Sequence, residues 1–510
     1  MPVPAPGADD LLAGGPTGPR ALRPLLDTVL DALATGAAER SGPLPAGGPH
    51  ALAQHVRALA EPALPDTGTG APEALHTLVR ALAAGAADPA EPHCAAHLHC
   101  PPLAVAAAAD LAVSALNPSL DSWDQAPAAS ELETLTCRAL ATLAYGHRPA
   151  EDDRPRHEGR PAQGDRSTHE GRPAQGSPPA HGDRPAHQGQ PPTPDALVTT
   201  GGTEANQLAL LLAREAHPGP TPLQVICGAN AHHSIHRAAW LLGLPTPHTL
   251  PTPTGRLDPD RLAAALHTRA DHPTLVIATA GTTDTGAIDP LPAIADLCAA
   301  HHATLHIDAS YGGALLFSDT LRDRLHGLDR AHSIALDLHK LGWQPIAAGL
   351  LAVPDHTALT PLDHHVDYLN AADDTEAGLP DLLGRSLRTS RRPDILKIAV
   401  TLRALGRHGL GRLVERCCAT AHHLAELIDA HPRLELHAPP AISTVLFRPT
   451  GADDTTVAAV RRRLIRAGHA VLGRAHTADG LWLKATLLNP HTRPSDLHAL
   501  LRLVEGSTAP

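Results

Sequence analysis

Short apolar runs alternate with helical patterns along the middle of this chain, between residues 196 and 340. Each run has the length of a strand, and the segments between the runs repeat apolar residues at helical spacing. This alternation predicts an α/β fold with a mostly parallel central sheet. The runs are ALVTT (196–200), QVICG (224–228), TLVIATA (274–280), TLHIDAS (304–310) and SIALDLH (333–339).

The two flanks of this region have different patterns. Helical spacing recurs at 21–40, 51–61, 73–86 and 394–430, and the C-terminal end mixes strands with helices. A chain of 510 residues is expected to form more than one domain. We predict an N-terminal helical segment at 1–90, a large domain at 91–375 and a small α+β domain at 376–510.

Residues 148–194 form an insertion of distinct composition. The octapeptide HEGRPAQG occurs at 157–164 and again at 169–176, and a degenerate copy begins at His181. Because the segment has almost no aliphatic residues, it cannot bury a core, and we predict a disordered surface linker. A histidine-rich metal-binding tail is the alternative interpretation.

The composition argues against nucleic-acid binding, a disulfide framework and a membrane location. The net charge is −12, which argues against nucleic acid as a partner. The seven cysteines form no CxxC pair, and the odd count favours a reducing compartment over a disulfide framework. No apolar run reaches membrane-spanning length, and the first residues lack the pattern of a signal peptide. We expect a cytoplasmic protein without a membrane partner.

Lysine is rare in this chain. Of 41 basic residues, only Lys340, Lys397 and Lys484 are lysines, and the other 38 are arginines. A lysine amine can lose a proton and attack a carbonyl, which guanidinium cannot do. Lys340 follows a predicted strand in DLHKLGWQP, at 337–345. It is therefore a candidate nucleophile, and a chance surface lysine is the alternative.

Two further motifs follow predicted strands. TTGGTEANQ, at 199–207, places Gly202 and Thr203 where a helix begins, a position suited to an anion such as phosphate. HIDASYGG, at 306–313, ends a strand with Asp308, which suits a pyridine nitrogen. The alternatives are an ordinary capped turn and a structural carboxylate. With Lys340, the motifs supply the three groups that pyridoxal phosphate (PLP) requires.

Taken together, several blocks resemble the group II PLP-dependent amino-acid decarboxylases, which have the aspartate-aminotransferase-like fold (fold type I). The similarity covers roughly residues 90–505 apart from the insertion, and is greatest to bacterial enzymes acting on L-2,4-diaminobutyrate, lysine or ornithine. The blocks include AHLHCPPLAVAAAADLAVSALNPSLDSWDQAPAASELE, TTGGTEAN, HHSIHRAAWLLGL, GTTDTGAIDP, HIDASYGG, DLHKLGWQP, SLRTSRRPDILK and LKATLLNPHT.

The resemblance implies roles for individual residues. Lys340 would attach PLP covalently, Asp308 would pair with the pyridine nitrogen, and His232 would stack on the cofactor ring. The phosphate would be bound by Gly202, Thr203 and His339.

Other residues would act at the edges of the site. Thr283 is expected near the ring oxygen, and His97 and His99 would border the substrate pocket. Arg391 or Arg392 would help to shape the site. The cysteines and histidines of HCAAHLHC, at 93–100, have an alternative interpretation as a metal site, although their spacing fits no standard zinc pattern.

Tyr368 distinguishes between reactions. In the family, the tyrosine of a mobile loop protonates Cα after carbon dioxide leaves, and the neighbouring subunit supplies the loop. The resemblance therefore implies a homodimeric decarboxylase of a basic diamino acid. The alternatives are a decarboxylase of aliphatic or aromatic amino acids, a decarboxylation-coupled oxidative deaminase, and a non-catalytic scaffold that binds metal or a partner.

Overall fold

The computed structural model describes residues 12–146, 192–363, 372–380 and 382–508. Tyr368 and most of the insertion predicted at 148–194 lie outside the described residues. The helices are α1 (Gly18–Arg40), α2 (Gly48–Ala60), α3 (Ala71–Gly85), α4 (Ala104–Leu116), α5 (Pro127–Tyr145), α6 (Gly202–Glu215), α7 (Ser234–Leu241), α8 (Pro259–His267), α9 (Leu291–Ala300), α10 (Ala372–Glu376), α11 (Ile395–Asp429), α12 (Asp454–Ala467) and α13 (Pro494–Gly506).

The strands form two sheets. They are β1 (Cys94–Ala95), β2 (Asp195–Thr199), β3 (Gln224–Gly228), β4 (His248–Leu250), β5 (Thr274–Thr279), β6 (Thr304–Asp308), β7 (Ser333–Asp337), β8 (Gly349–Val353), β9 (Leu434–Leu436), β10 (Thr444–Pro449), β11 (Val471–Thr477) and β12 (Gly480–Thr486). The seven-stranded sheet has the order β2-β8-β7-β6-β5-β3-β4, and the five-stranded sheet has the order β1-β11-β12-β10-β9.

The seven-stranded sheet is mostly parallel, as predicted. Its strands from β7 through β6, β5 and β3 to β4 run parallel, whereas β8 is antiparallel to both β2 and β7. Both faces are covered, because successive side chains of β5 enter different apolar clusters. Leu275 and Ile277 pack with Ile235 of α7, and Val276 packs on the opposite face with Ile294 of α9.

The five-stranded sheet has a separate core with α11, α12 and α13. Its first strand is β1, which pairs parallel with β11 although it precedes the large sheet by about a hundred residues of sequence. The long helix expected at 394–430 is α11, and it is interrupted at Gly406, whose φ of 67° lies in the left-handed region.

The N-terminal helices form a layer of their own. Helices α1 and α3 pack on each other, and α2 buries none of its residues. Among the described ranges, no helix combines the length and the apolar character that a membrane crossing requires.

Candidate active site

A cavity of about 390 Å³ lies at the carboxyl edge of the parallel strands. Edges of this kind are where α/β sheets bind ligands. The loops after β2, β3, β5, β6 and β7 all contribute to its wall. The predicted site residues that line it are Gly202, Thr203, His232, Thr283, Asp308, His339 and Lys340.

Lys340 and Asp308 reach this cavity from adjacent strands. Strand β6 ends at Asp308 and pairs parallel with β7, with Asp308 opposite Ala335. Lys340 follows three residues after the end of β7. Its side-chain nitrogen lies 2.8 Å from Oδ2 of Asp337, a carboxylate that the sequence analysis did not single out. The aldehyde-reactive amine is therefore held inside the cavity by an ion pair.

Asp308 is a buried carboxylate with several stabilising partners. Its Oδ2 accepts from Asn206 Nδ2 at 2.9 Å, and its Oδ1 accepts from the backbone N–H of Ser310 at 3.1 Å. Burial raises the pKa of Asp308, but its polar neighbours Ser310 and Asn206 and the charge of Lys340 outweigh burial and hold the pKa below its ordinary value. Asp308 thus keeps a negative charge in a protected position, as a pyridinium partner requires.

The glycine turn before α6 forms a close-fitting cradle. A Cβ on Gly202 would lie 2.1 Å from Ser310 Oγ, and one on Gly201 would lie 2.9 Å from Cε1 of His339. Only glycine therefore fits beside these side chains. The turn opens a helix of 14 residues, whose N-terminus favours an anion.

Unpartnered polar atoms around the turn are consistent with a bound anion. Ser310 Oγ and His339 Nδ1 are buried and have no hydrogen-bond partner among the described residues. Buried polar groups are normally paired, so a ligand that supplies acceptors suits them. The glycine turn, these side chains, Lys340 and Asp308 together fit a phosphorylated pyridine aldehyde.

His232 lines the cavity from the loop that precedes α7. Its Nδ1 lies 2.8 Å from Ser234 Oγ, which fixes one edge of the ring. Burial lowers the pKa of His232, as do the nearby charges of His233 and Lys340, while Asp308 raises it, and the net shift is downward. The imidazole is therefore favoured in its neutral form.

Thr283 lies where the two sheets meet. Its carbonyl oxygen accepts from Nζ of Lys484, on β12, at 3.0 Å. Its neighbours Thr282 and Asp284 line a second cavity of about 780 Å³, which shares Asn230 with the first. Asp284 Oδ1 lies 4.0 Å from the Lys484 nitrogen. The turn at 281–285 thus separates the two cavities.

Of the three residues at 97–99, only the middle one contributes to the cavity wall. Leu98 lines the cavity, whereas His97 and His99 are not among the residues that line it. His97 and His99 are exposed, whereas Leu98 is half-buried, so both histidines face away from the cavity wall. The thiol of Cys100 donates to the carbonyl oxygen of His339 at 3.2 Å.

Arg391 and Arg392 lie away from both cavities. Arg391 is buried and donates to Glu133 at 2.7 Å, so it supports the packing of α5. Arg392 is more exposed and pairs with Asp110 at 2.9 Å. Neither arginine lines the site that the sequence analysis expected one of them to shape.

Four polar residues of the site were missed by sequence reasoning. Asp337, Ser310 and Asn206 all lie within motifs that were recognised, and Ser234 lies in HHS next to His232. Their position after or beside the same parallel strands was the available signal. The pairing of Asn206 with His306 and Asp308, about a hundred positions away, was not visible in the local pattern.

Comparison with known proteins gives consistent matches. Residues 184–450 match the family described as pyridoxal-dependent decarboxylase conserved domain. The chain is 38% identical over 461 residues to L-2,4-diaminobutyrate decarboxylase of Rhizobium meliloti (strain 1021), covering 88% of this chain and 83% of that relative. It is 30% identical over 448 residues to L-2,4-diaminobutyrate decarboxylase of Acinetobacter baumannii, covering 81% and 79% of the two chains.

A solved structure is similar over nearly the whole chain. It is the glutamate decarboxylase domain of diaminobutyrate-pyruvate transaminase and L-2,4-diaminobutyrate decarboxylase from Vibrio parahaemolyticus. The TM-score is 0.79 at 28% sequence identity, and the match covers 98% of each chain.

Proposed function

Because this chain belongs to the pyridoxal-dependent decarboxylase family, we propose that it converts L-2,4-diaminobutyrate into 1,3-diaminopropane and carbon dioxide. It is a PLP-dependent amino-acid decarboxylase of fold type I. The geometry that supports the reaction is the convergence of Lys340, Asp308 and the glycine turn on one cavity. The choice of substrate rests on the two relatives named for this activity.

Lys340 and Asp308 would prepare the site for the cofactor. When bound, PLP supplies an electron sink that takes up the electron pair of the bond between Cα and the carboxylate. Lys340 would attach it covalently through its amine, and Asp308 would hold the pyridine nitrogen protonated by its charge. The low pKa of Asp308 supports this assignment, because the carboxylate must stay ionised.

The cradle would hold the phosphate. Backbone N–H groups at Gly202 and Thr203 lie at the N-terminus of α6, and His339 faces the turn beside them. We assign these three residues to the phosphate, and add Ser310 because its buried hydroxyl has no partner among the described residues.

The remaining predicted residues would act on the ring and the substrate. His232 would stack on the ring, and Thr283 would lie near the ring oxygen, since both line the cavity. His97 and His99 would border the substrate pocket only indirectly, because Leu98, which lies between them in the chain, is the residue that lines the cavity. Tyr368 is proposed as the proton donor to Cα, because a phenol can give a proton when a loop closes over the site.

Asp284 is our proposed partner for the distal ammonium of the substrate. It lies on the turn that separates the two cavities, and its side chain is 61% exposed. Asp284 lines the larger cavity, and its only close cation among the described residues is Lys484 at 4.0 Å, whereas the carboxylates of the smaller cavity, Asp308 and Asp337, are held by closer contacts within the site. Asp284→Asn should raise KM for L-2,4-diaminobutyrate about tenfold with little change in kcat. Asp479→Asn, which also lines the larger cavity, is the matched control.

A homodimer is proposed as the working form. The N-terminal helices expose several large apolar side chains, among them Leu30 at 63%, Leu78 at 50% and Leu82 at 73%. Exposed apolar surface of this kind marks interaction sites in soluble proteins. A second copy that covers these helices would bury it, and sedimentation of the purified protein tests this assignment.

We place the protein in the cytoplasm. All seven cysteines are free thiols, and six of them are buried. Free cysteines in this number fit a reducing compartment.

An amino-acid panel with detection of the released amine tests the proposed function. L-2,4-diaminobutyrate should give the highest kcat/KM, ahead of ornithine, lysine, glutamate and aromatic amino acids. Aldehyde, ammonia and peroxide as the main products would instead establish an oxidative deaminase. Preference for an acidic or aromatic amino acid would overturn the substrate assignment and leave the decarboxylase in place.

A further inference from the structure

A buried chain of hydrogen bonds links Asp308 to His232 through Asn206 and Ser234. Asn206 Nδ2 lies 2.9 Å from Asp308 Oδ2 and 2.8 Å from Ser234 Oγ. Asn206 Oδ1 lies 2.9 Å from His306 Nε2. Ser234 Oγ lies 2.8 Å from His232 Nδ1. Asn206 and Ser234 are fully buried, so the middle of the network is closed to solvent.

The charge of Asp308 fixes the orientation of the Asn206 amide. An amide nitrogen has two protons to donate, and an amide oxygen only accepts. In the reverse orientation, the amide oxygen would face the Asp308 carboxylate at 2.9 Å, with two acceptors in contact. Asn206 therefore donates to both Asp308 and Ser234 and accepts from His306.

His306 is consistent with this direction. Burial lowers its pKa to about 4, so the ring is neutral and carries one N–H. Because Asn206 Oδ1 needs a donor, that proton is on Nε2. The Nδ1 of His306 then accepts from Ser333 Oγ, at 2.8 Å. One arrangement of protons therefore satisfies the hydrogen bonds among Asp308, Asn206, His306 and Ser333.

The other half of the network ends at His232. Ser234 Oγ accepts from Asn206, so its own proton is free to be donated to His232 Nδ1. The backbone N–H of Ser234 points to the same nitrogen at 3.4 Å. With Nδ1 as an acceptor, the proton of the neutral His232 ring is on Nε2, at the opposite edge, and His232 lines the cavity.

We propose that Asn206 and Ser234 are positioning residues that hold His232 in its Nε2–H tautomer, so that the ring presents a hydrogen-bond donor to an acceptor oxygen in the cavity. The acceptor is an oxygen of either the cofactor or the substrate carboxylate. The inference rests on the proposed function only where it concerns turnover, since the tautomer is a property of the protein alone.

The charges that face His232 come from several elements. Asp308 and Asp337 favour its protonation, and His233 and Lys340 oppose it. Asp308 ends β6, Asp337 ends β7, and Lys340 follows β7. Neither positioning residue carries a charge, so substituting either one tests hydrogen-bond direction without changing this balance.

The tautomer can be read directly. In protein labelled with ¹⁵N-histidine, the ring signals that disappear in His232→Asn belong to His232. Wild type and Ser234→Thr, which keeps the hydroxyl, should both show the Nε2–H tautomer. Asn206→Leu and Ser234→Ala should both populate the Nδ1–H form. The Nδ1–H form in wild type, or an unchanged tautomer in both Asn206→Leu and Ser234→Ala, would refute the proposal.

PLP affinity and kcat/KM together identify the oxygen that accepts the hydrogen bond from His232. Ser234→Ala should lower either PLP affinity or kcat/KM for the amino acid about tenfold, the effect of one lost hydrogen bond. Lower PLP affinity points to a cofactor oxygen, and lower kcat/KM at unchanged PLP affinity points to the substrate carboxylate. Ser234→Thr should restore the wild-type value. Ser130→Ala, which removes a buried serine hydroxyl on α5, should leave both unchanged.

Different results would refute the proposed substrate and the proposed tautomer of His232. If wild type releases no amine from L-2,4-diaminobutyrate, the substrate assignment fails, yet the ¹⁵N signals and PLP affinity still decide the tautomer. If Asn206→Leu does not fold, Ser234→Ala against Ser234→Thr carries the test. No change in tautomer, PLP affinity or kcat/KM in Ser234→Ala would show that the network is only structural.

Discussion

The side-chain nitrogen of Lys340 lies 2.8 Å from Oδ2 of Asp337, three residues earlier in the chain. The other two lysines are also engaged inside the protein. Lys397 is 1% exposed and pairs with Asp110 and Asp394, both at 3.1 Å. Lys484 donates to the carbonyl of Thr283. A chain that uses arginine almost everywhere therefore keeps its three lysines at enclosed positions, and only Lys340 lines the cavity beside Asp308.

This arrangement predicts a single site of cofactor attachment. Borohydride treatment of the PLP-loaded protein should fix the cofactor to the peptide that contains Lys340, because Lys340 lines the cavity, whereas Lys397 and Lys484 do not. Peptide mapping by mass spectrometry measures the label. Lys340→Arg should abolish labelling, since guanidinium does not attack the aldehyde. Label on Lys397 or Lys484 in wild type would contradict the assignment.

His306 predicts a loss of stability in mild acid. Burial lowers its pKa from 6.5 to about 4, so at pH values between these the unfolded state binds a proton that the folded state does not. Stability is therefore fully present above about pH 6.5 and decreases as pH falls towards 4, by up to about 3 kcal/mol from this residue.

Denaturant midpoints of wild type at pH 7 and pH 5 measure this effect. His306→Gln should have a lower midpoint at pH 7 and a smaller difference between the two pH values. His326→Gln, at an exposed position, is the control and should keep the wild-type difference. An equal pH difference in His306→Gln and wild type would show that other groups cause the acid sensitivity.

Tyr368→Phe tests the proton donor. The phenol takes no part in breaking the bond to the carboxylate, so PLP binding and carbon dioxide release should persist. Amine production should fall by about 10²–10⁴-fold, the usual contribution of general acid catalysis. Aldehyde, ammonia and hydrogen peroxide should appear in its place, because dissolved oxygen takes up the two electrons that the absent proton would have retained in the amine. Tyr145→Phe, at a buried tyrosine on α5, serves as the control, and a Tyr368→Phe variant with wild-type amine production would remove Tyr368 from the catalytic residues.

Deletion of the insertion tests whether residues 148–194 are dispensable, as their composition predicts. These residues cannot bury a core, so deletion of most of 148–194 should leave the thermal midpoint, PLP binding and kcat/KM nearly unchanged. A glycine-serine linker of matched length controls for loop closure. Loss of PLP binding in the deletion but not in the linker variant would show that the sequence of the insertion matters to the site.

The sequence by itself determined the fold class and the residues at the strand ends. The alternation of patterns predicted β2, β3, β5, β6 and β7, because apolar periodicity is a local property. The scarcity of lysine identified Lys340, and motif position identified Asp308, Gly202 and Thr203. These inferences depend on local patterns and on the composition of the chain, so no knowledge of strand pairing was needed.

Tertiary structure decided what the strands bring together. The antiparallel β8 lies between β2 and β7, and β1 joins the C-terminal sheet, because strand order depends on long-range pairing. Asn206 meets His306, which lies a hundred residues later in the chain. Arg391, by contrast, is drawn to Glu133 in the core rather than to the site. A buried polar group takes the partner that the packing supplies, and local sequence does not specify that partner.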